Sequence, residues 1–293
     1  MHDYVPRRVR FSDLCDALAR KRSLDEVLPY DVVQSLRGAP SPLVLADFAG
    51  RDSVAATMAW LRGHESATII PVADVVPTRY GDWSVYDENW ERMREHVSRA
   101  FPGVRVIPWF CLEDVDFWRM LNARFLNELS RVFGFFTPCL GCHLHFYAMR
   151  AVLGEALGAN ILISGEKELH SGARRKANQT VEAVNAYLRF SKDHGIEHHF
   201  PIHQVQTEAE MADLLGYTWK EGDRELRCAM SGNDSGADGR ALFEPAQITS
   251  YMERFASPLA ARIVELRKAG IDDRQFSAAV EAYVRQLLGT GAS

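Results

Sequence analysis

The sequence has no apolar run approaching the ~18 residues that a membrane-spanning helix needs. Its opening residues, "MHDYVPRRVRFSDL", lack the apolar stretch of a signal peptide. The expectation is a soluble, cytoplasmic protein with no membrane partner. A surplus of positive charge is also missing: 34 basic residues stand against 39 acidic ones, a formal net charge of −5. No global field draws such a chain to nucleic acid or an anionic surface, so an RNA partner would need a local patch. Cysteine is scarce. The five residues at 15, 111, 139, 142 and 228 form an odd, sparse set that excludes a secreted disulfide framework and leaves metal, redox or packing roles. Internal repeats are absent, and so are two common phosphate-loop signatures, G-x-x-x-x-G-K-[ST] and G-x-G-x-x-G.

What is present is an ordinary globular composition, 47% apolar and 25% charged over 293 residues, enough for a sizeable core. From residue 42 strands and helices alternate. "PLVLADF", "SATIIPVAD", "GVRVIPWF", "ANILISG" and "EHHFPIHQV" read as strands; "SVAATMAWLRGH", "VYDENWERMREHVSRAF", "LEDVDFWRMLNARFLNELSRVFG", "CHLHFYAMRAVLGEALG" and "RRKANQTVEAVNAYLRFSKDHG" read as helices. Strands joined through helices imply right-handed crossovers and a doubly wound α/β domain with a mostly parallel sheet. The predicted organisation is a helical N-terminal extension over 1–40, the α/β domain over 41–235, and a helical C-terminal appendage over 236–293. The appendage would cap the sheet, dock a substrate or meet a second copy in a homodimer.

In an open α/β sheet the first strand-to-helix turn is the usual phosphate site, because free backbone N–H groups and the helix dipole favour an anion there. Here that turn is "FAGRDS", residues 48–53. It resembles the S-G-G-x-D-S pyrophosphate loop of the PP-loop ATP pyrophosphatase superfamily (adenine nucleotide alpha hydrolase-like), with Gly50, Asp52 and Ser53 on matching positions. Phe48 replaces the first serine and Ala49 the first glycine. The bland alternative is a capped helix start with Asp52 or Ser53 as N-cap. Two further stretches follow the superfamily's order. "ILISGEKELHSG" supplies Ser164, Gly165 and Glu166 where family members approach ATP, and "FPIHQVQTEAEMADLLGY" is similar to their proline-containing strand and acidic helix. The resemblance covers roughly residues 42 to 232 and implies ATP binding by Ala49, Gly50, Arg51, Asp52 and Ser53, with Asp52 on Mg²⁺.

Cys139 and Cys142 have C-x-x-C spacing at a predicted helix start, where the dipole favours thiolate. With the distant Cys228 the layout resembles the iron–sulfur branch of the superfamily, which thiolates tRNA bases. That resemblance implies a [4Fe–4S] cluster on Cys139, Cys142 and Cys228. The alternatives are zinc held by the same cysteines with His143 or His145, a redox dithiol, or plain packing. Cys15 and Cys111 have no partner at ligand spacing and read as buried thiols.

Lys167, His170, Arg174, Arg175 and Lys176 follow the fourth strand and could grip a phosphate, an adenylate or an acidic substrate. A solvated helix start is the competing reading; Lys167 is the expected catalytic cation among them. His198, His199 and His203 read as structural, and Tyr80, Trp83, Tyr86 and Trp90 as packing beneath a long loop or a base-stacking lid.

Three functions fit these residues. The first is an adenylylating enzyme that moves sulfur on or off a nucleobase, a tRNA or a small metabolite, with a separate sulfur donor. The second is a PP-loop ligase or amidotransferase with structural zinc, and the third a nucleotide-binding protein without catalysis.

Overall fold

The computed structural model describes residues 7–168, 176–219, 226–236 and 241–289. His170, Arg174 and Arg175, named above as anion-binding candidates, lie outside the described residues.

The described residues form nine strands: β1 (Arg8–Arg10), β2 (Leu43–Asp47), β3 (Ala67–Val75), β4 (Arg79–Tyr80), β5 (Val104–Val106), β6 (Phe110–Glu113), β7 (Ile161–Ile163), β8 (Glu197–His199) and β9 (Arg227–Cys228). Seven of them make one sheet in the order β1-β6-β3-β2-β7-β8, with β5 also alongside β3, and every pairing in it is parallel. The nine-residue β3 is buried along nearly its whole length, which a strand covered on both faces requires. Counting β2, β3, β6, β7 and β8 as first to fifth gives the order 3-2-1-4-5, a doubly wound sheet whose switch point lies between β2 and β7. The fold class expected from the alternation is the one found.

Among the described residues twelve α-helices flank it. Those preceding residue 160 are α1 (Phe11–Ala19), α2 (Tyr30–Leu36), α3 (Arg51–Leu61), α4 (Val85–Ala100), α5 (Val115–Asn122), α6 (Leu126–Phe133) and α7 (Pro138–Leu157). The remainder are α8 (Val181–Asp193), α9 (Glu208–Leu215), α10 (Pro245–Tyr251), α11 (Ser257–Lys268) and α12 (Asp273–Leu287). One sheet face is covered by α3, α4 and α9 through Val54, Met58, Met93, Val97, Met211 and Leu215. On the other face α7 contributes Leu144, Tyr147 and Leu153, and the C-terminal helices add Phe255, Leu259, Ile263, Phe276 and Val280 to that same core. A buried ion pair fixes α11 to the start of α5: the Arg267 guanidinium reaches both carboxylate oxygens of Asp114 at 2.8 and 3.0 Å.

Several boundaries differ from the sequence expectation for local reasons. "GVRVIPWF" divides into β5 and β6 around Pro108, which has no N–H for a ladder. The third helix breaks into α5 and α6 around 123–125. The long helix expected over 174–195 starts only at Val181, where the Thr180 hydroxyl accepts from the Ala183 N–H at 3.3 Å. The 1–40 stretch adds an edge strand, β1, beside β6 as well as helices. Among the described residues no helix is long and apolar enough to cross a membrane.

Candidate functional site

The switch point is where the turn of residues 48–50 leaves β2 and enters α3. Ser53 Oγ closes this turn. It accepts from the backbone N–H groups of Ala49 (3.0 Å) and Gly50 (3.1 Å) and donates to the Gly50 carbonyl at 2.8 Å. Two glycines here have opposite reasons. A Cβ on Gly50 would meet nothing within 4 Å, whereas one on Gly165 would stand 2.7 Å from the Ser53 nitrogen and 2.8 Å from the Asp52 carbonyl carbon. The loop after β7 therefore lies backbone to backbone on the first turn of α3, while the space over Gly50 stays open.

That space is a cavity of about 390 Å³ whose wall includes residues 47–53, Asp74, Arg79, His143, Arg150, Gly165 and Glu166. Phe48, standing where the superfamily has serine, is a packing residue as well: only 3% exposed, its ring meets Tyr86 edge-on at 5.5 Å and lies 6.3 Å from Trp109. Tyr86 and Trp109 are themselves buried, and Trp90 donates to the Ile107 carbonyl at 2.7 Å. The aromatic loop thus builds core around the turn; Tyr80 alone of its four named rings is exposed.

Two predicted residues stand elsewhere than expected. Lys167 is buried and turns away from the cavity, its ammonium 3.6 Å from Glu208 of α9. Glu208 also takes the Arg51 guanidinium at 2.7 Å, so one half-exposed carboxylate holds both cations. Ser164 faces inward, its hydroxyl 2.8 Å from His198 Nε2, with Ser191 on the other ring nitrogen at 2.9 Å. His198 is the structural histidine the sequence implied.

Beneath the turn lies a charged floor that the sequence did not reveal. Arg150, central in α7 and 1% exposed, donates to Asp74 at 2.7 and 3.0 Å and to the Val72 carbonyl at 2.7 Å, and its Nε forms an ion pair with Asp47 at 2.8 Å without a hydrogen bond. Burial pushes the Asp47 carboxyl up to about 6, although Arg150 pulls it back. Glu166, at the rim, accepts from both His143 Nδ1 and the Tyr147 hydroxyl. Burial raises the Glu166 carboxyl, but the His143 pair and these two bonds hold it below its ordinary value. His143 Nε2 stands 3.1 Å from the Asn178 amide nitrogen, so the ring bridges the carboxylate and the amide.

A second cavity, of about 200 Å³, adjoins the first, and Cys139, Cys142 and Cys228 all line it. The N-terminus of α7 delivers the first two. Thr137 caps that helix, its hydroxyl accepting from the Cys139 N–H at 3.2 Å. Cys228 arrives on a separate antiparallel ladder, β4 with β9. The cavities share a wall made by Arg79, His143, Phe146 and Gln179.

The helix start does not lower the thiols as its dipole alone would. Burial pushes Cys139 up to about 11 and Cys142 upward as well, so desolvation outweighs the dipole. Trp118 Nε1 donates to Cys142 Sγ at 3.2 Å, and Asn233 Oδ1 lies 3.5 Å from Cys139 Sγ. Among the described residues no group of three or more His, Cys, Asp or Glu stands at metal-holding spacing. By donor type the cavity suits a soft, sulfur-ligated group. Of the histidines considered for zinc, His145 is buried against Phe117 at 4.8 Å and outside the cysteine cavity, while His143 is engaged by Glu166. Cys15 and Cys111 are buried thiols, as expected.

No family model matches the chain. It is 28% identical over 225 residues to the uncharacterized protein MJ0009 of Methanocaldococcus jannaschii, across 76% of this chain and 80% of that protein. Among solved structures it is similar to the U34-tRNA thiolase NcsA from Methanococcus maripaludis with its [4Fe–4S] cluster. That likeness has a TM-score of 0.36 and 10% identity, covering 83% of this chain and 79% of NcsA. It is too distant to carry a functional argument.

Proposed function

We propose that the chain is an ATP-dependent adenylylating enzyme of the PP-loop kind that exchanges oxygen and sulfur on a nucleobase or a small metabolite. The observation that carries this reading is the adjacency of two cavities: one built on the turn between β2 and α3, the other lined by three cysteines, with four residues shared between them.

Residues Ala49 to Ser53 would receive the outer phosphates of ATP over the open face of Gly50, where the first turn of α3 leaves N–H groups without intrahelical partners. Asp52 lines that space and suits Mg²⁺ bound to pyrophosphate oxygens. Glu166 and Gly165 line the far side, and Gly165 lets that loop lie backbone to backbone on the first turn of α3. Adenylylation turns a poor leaving oxygen into a good one, and fixed amides with Mg²⁺ stabilise the departing pyrophosphate. Lys167 serves through Glu208, setting the position of Arg51.

Cys139, Cys142 and Cys228 would hold a [4Fe–4S] group, whose fourth iron, lacking a protein thiolate, would supply a binding place for the sulfur being moved. His143 belongs to the shared wall, its ring held between Glu166 on Nδ1 and the Asn178 amide on Nε2. A structural zinc on the same cysteines would favour a PP-loop ligase instead.

The test is anaerobic purification followed by iron, acid-labile sulfide and zinc analysis, with Cys228→Ala in parallel, and pyrophosphate release assayed with ATP and candidate acceptors. About four irons and four sulfides per chain, lost in the variant, together with pyrophosphate release, is the expected result. One zinc without sulfide would sink the sulfur-transfer reading.

A further inference from the structure

Arg79 faces both cavities. Its place is fixed by the β4–β9 ladder, in which it stands directly opposite Cys228. Directly opposed residues of an antiparallel pair project to the same side, with Cβ atoms about 5 Å apart. Arg79 Nη1 donates to the Asp74 carbonyl and to the Tyr86 hydroxyl, each at 3.2 Å, and its guanidinium carbon lies 5.9 Å from the centre of the Phe146 ring. All three partners are neutral. The nearby Asp74 carboxylate has both oxygens on Arg150. Of the three arginines lining the larger cavity, Arg51 is paired with Glu208, and Arg150 with Asp47 and Asp74. Among the described residues Arg79 has no carboxylate ion partner. A guanidinium carries five donors in a fixed fork matched to phosphate. One with only two protein acceptors, set in the wall between a phosphate-type turn and a cysteine cavity, is arranged for an incoming anion.

We propose that Arg79 binds the α-phosphate of ATP at the junction and neutralises its charge during adenylyl transfer. This deepens the preceding reading and rests on it. The acceptor oxygen forms a bond to the α-phosphorus. The bond from that phosphorus to the pyrophosphate oxygen breaks, its electron pair leaves on pyrophosphate, and the acceptor's proton passes to water. Arg79 holds the non-bridging oxygens throughout and keeps the adenylate beside the cysteines.

The test is calorimetric titration of anaerobically purified protein, with whatever metal it carries, using AMP and Mg²⁺–pyrophosphate separately. Wild type is compared with Arg79→Ala and Arg79→Lys. The expected result is AMP affinity at least tenfold weaker in Arg79→Ala, partly restored in Arg79→Lys, with pyrophosphate affinity within twofold of wild type in both. Unchanged AMP affinity in Arg79→Ala overturns the proposal, and so does an equal loss of AMP and pyrophosphate, which marks collapse of the cavity. Wild type binding ATP while Arg79→Ala loses no AMP affinity sinks this inference alone; wild type binding neither ATP nor pyrophosphate sinks the nucleotide reading and this inference with it.

Discussion

Arg79 and Cys228 are a directly opposed pair in a two-residue antiparallel ladder, 149 positions apart in sequence (228 less 79). The ladder is extended by the Ala229 N–H, which donates to the Thr78 carbonyl at 2.8 Å. One small element therefore places both the arginine of the shared wall and the third thiol of the cysteine cavity. Ala229→Pro removes that donor. The expected outcome is a joint loss of bound metal and AMP affinity with the thermal midpoint within a few degrees of wild type, because the ladder lies outside the seven-stranded sheet. Metal analysis, calorimetry and a thermal melt on one preparation check it; loss of only one of the two functions would separate the two residues.

Gly50 in the turn and Gly165 in the loop that packs on it should respond oppositely. Gly50→Ala adds a methyl group into open space, so the fold should melt as wild type while ATP affinity falls at least tenfold. Gly165→Ala drives a Cβ to 2.7 Å from the Ser53 nitrogen, which forces backbone apart and should cost about 1–3 kcal/mol of stability. Thermal melts paired with ATP titration distinguish the two patterns.

The contrast also shows what could be read in advance. The strands and the turn at 48–53 were legible because apolar runs bounded by a glycine-containing turn have a short-range signature. The resemblance to the iron–sulfur branch implies that Cys228 joins the C-x-x-C, and the structure puts all three thiols on one cavity. Arg79 and Arg150 escaped notice for a different reason. Arg79 belongs to a two-residue strand whose partner lies far along the chain, and Arg150 looks like an interruption in an apolar helix until Asp47 and Asp74 close on it. Nearness to a strand end does not fix the direction of a side chain in the following loop, and Lys167 turns to Glu208. The thiols were expected to ionise readily because a helix start is visible in sequence, whereas burial is a property of the packed fold.

Arg150 neutralises two buried carboxylates, so Arg150→Met should destabilise by about 3–5 kcal/mol through uncompensated charge, a fall on the order of 10 °C in melting midpoint for a chain of this size. Arg150→Lys should recover little, since an ammonium cannot span Asp47, Asp74 and the Val72 carbonyl together. A variant melting within 2 °C of wild type would contradict this account of the floor.

Asp47 gives that floor a pH dependence. Its folded carboxyl is raised to about 6 from an ordinary 3.8, so between these values the folded state binds the proton that the unfolded chain has lost. The resulting stabilisation is full below the ordinary value and is lost as pH rises through about 6. Relative to Asp47→Asn, wild type should lose on the order of 2 kcal/mol between pH 4 and pH 7. Urea unfolding of both proteins across that range measures the difference; parallel curves would rule out Asp47 as the titrating group.

Glu208 holds Arg51, which lines the cavity at the turn of residues 48–50, and Lys167, which does not line it. Glu208→Gln keeps the side-chain shape and removes the negative charge, leaving Arg51, the one of the two that lines the cavity, to the ligand. Because the carboxylate is half-exposed, the gain is that of a surface pair, and pyrophosphate should bind roughly two- to fivefold more tightly. The gain should shrink as salt is raised. An affinity unchanged at low salt would show that Arg51 does not face the phosphate.

The three thiols differ in exposure, and that difference predicts an order of modification. Cys228 is exposed, whereas Cys139 and Cys142 are partly buried. In metal-free protein at neutral pH, a thiol at about 11 has roughly 300-fold less thiolate than an ordinary cysteine. Iodoacetamide should therefore label Cys228 first and Cys139 far more slowly, followed by peptide mass spectrometry. Anaerobic protein with its metal bound should protect all three, because a coordinated thiolate no longer offers its electron pair to the reagent. If Cys228 is labelled at the same rate in both preparations, it is not a ligand, and the cysteine cavity would have to hold its group through Cys139 and Cys142 without it.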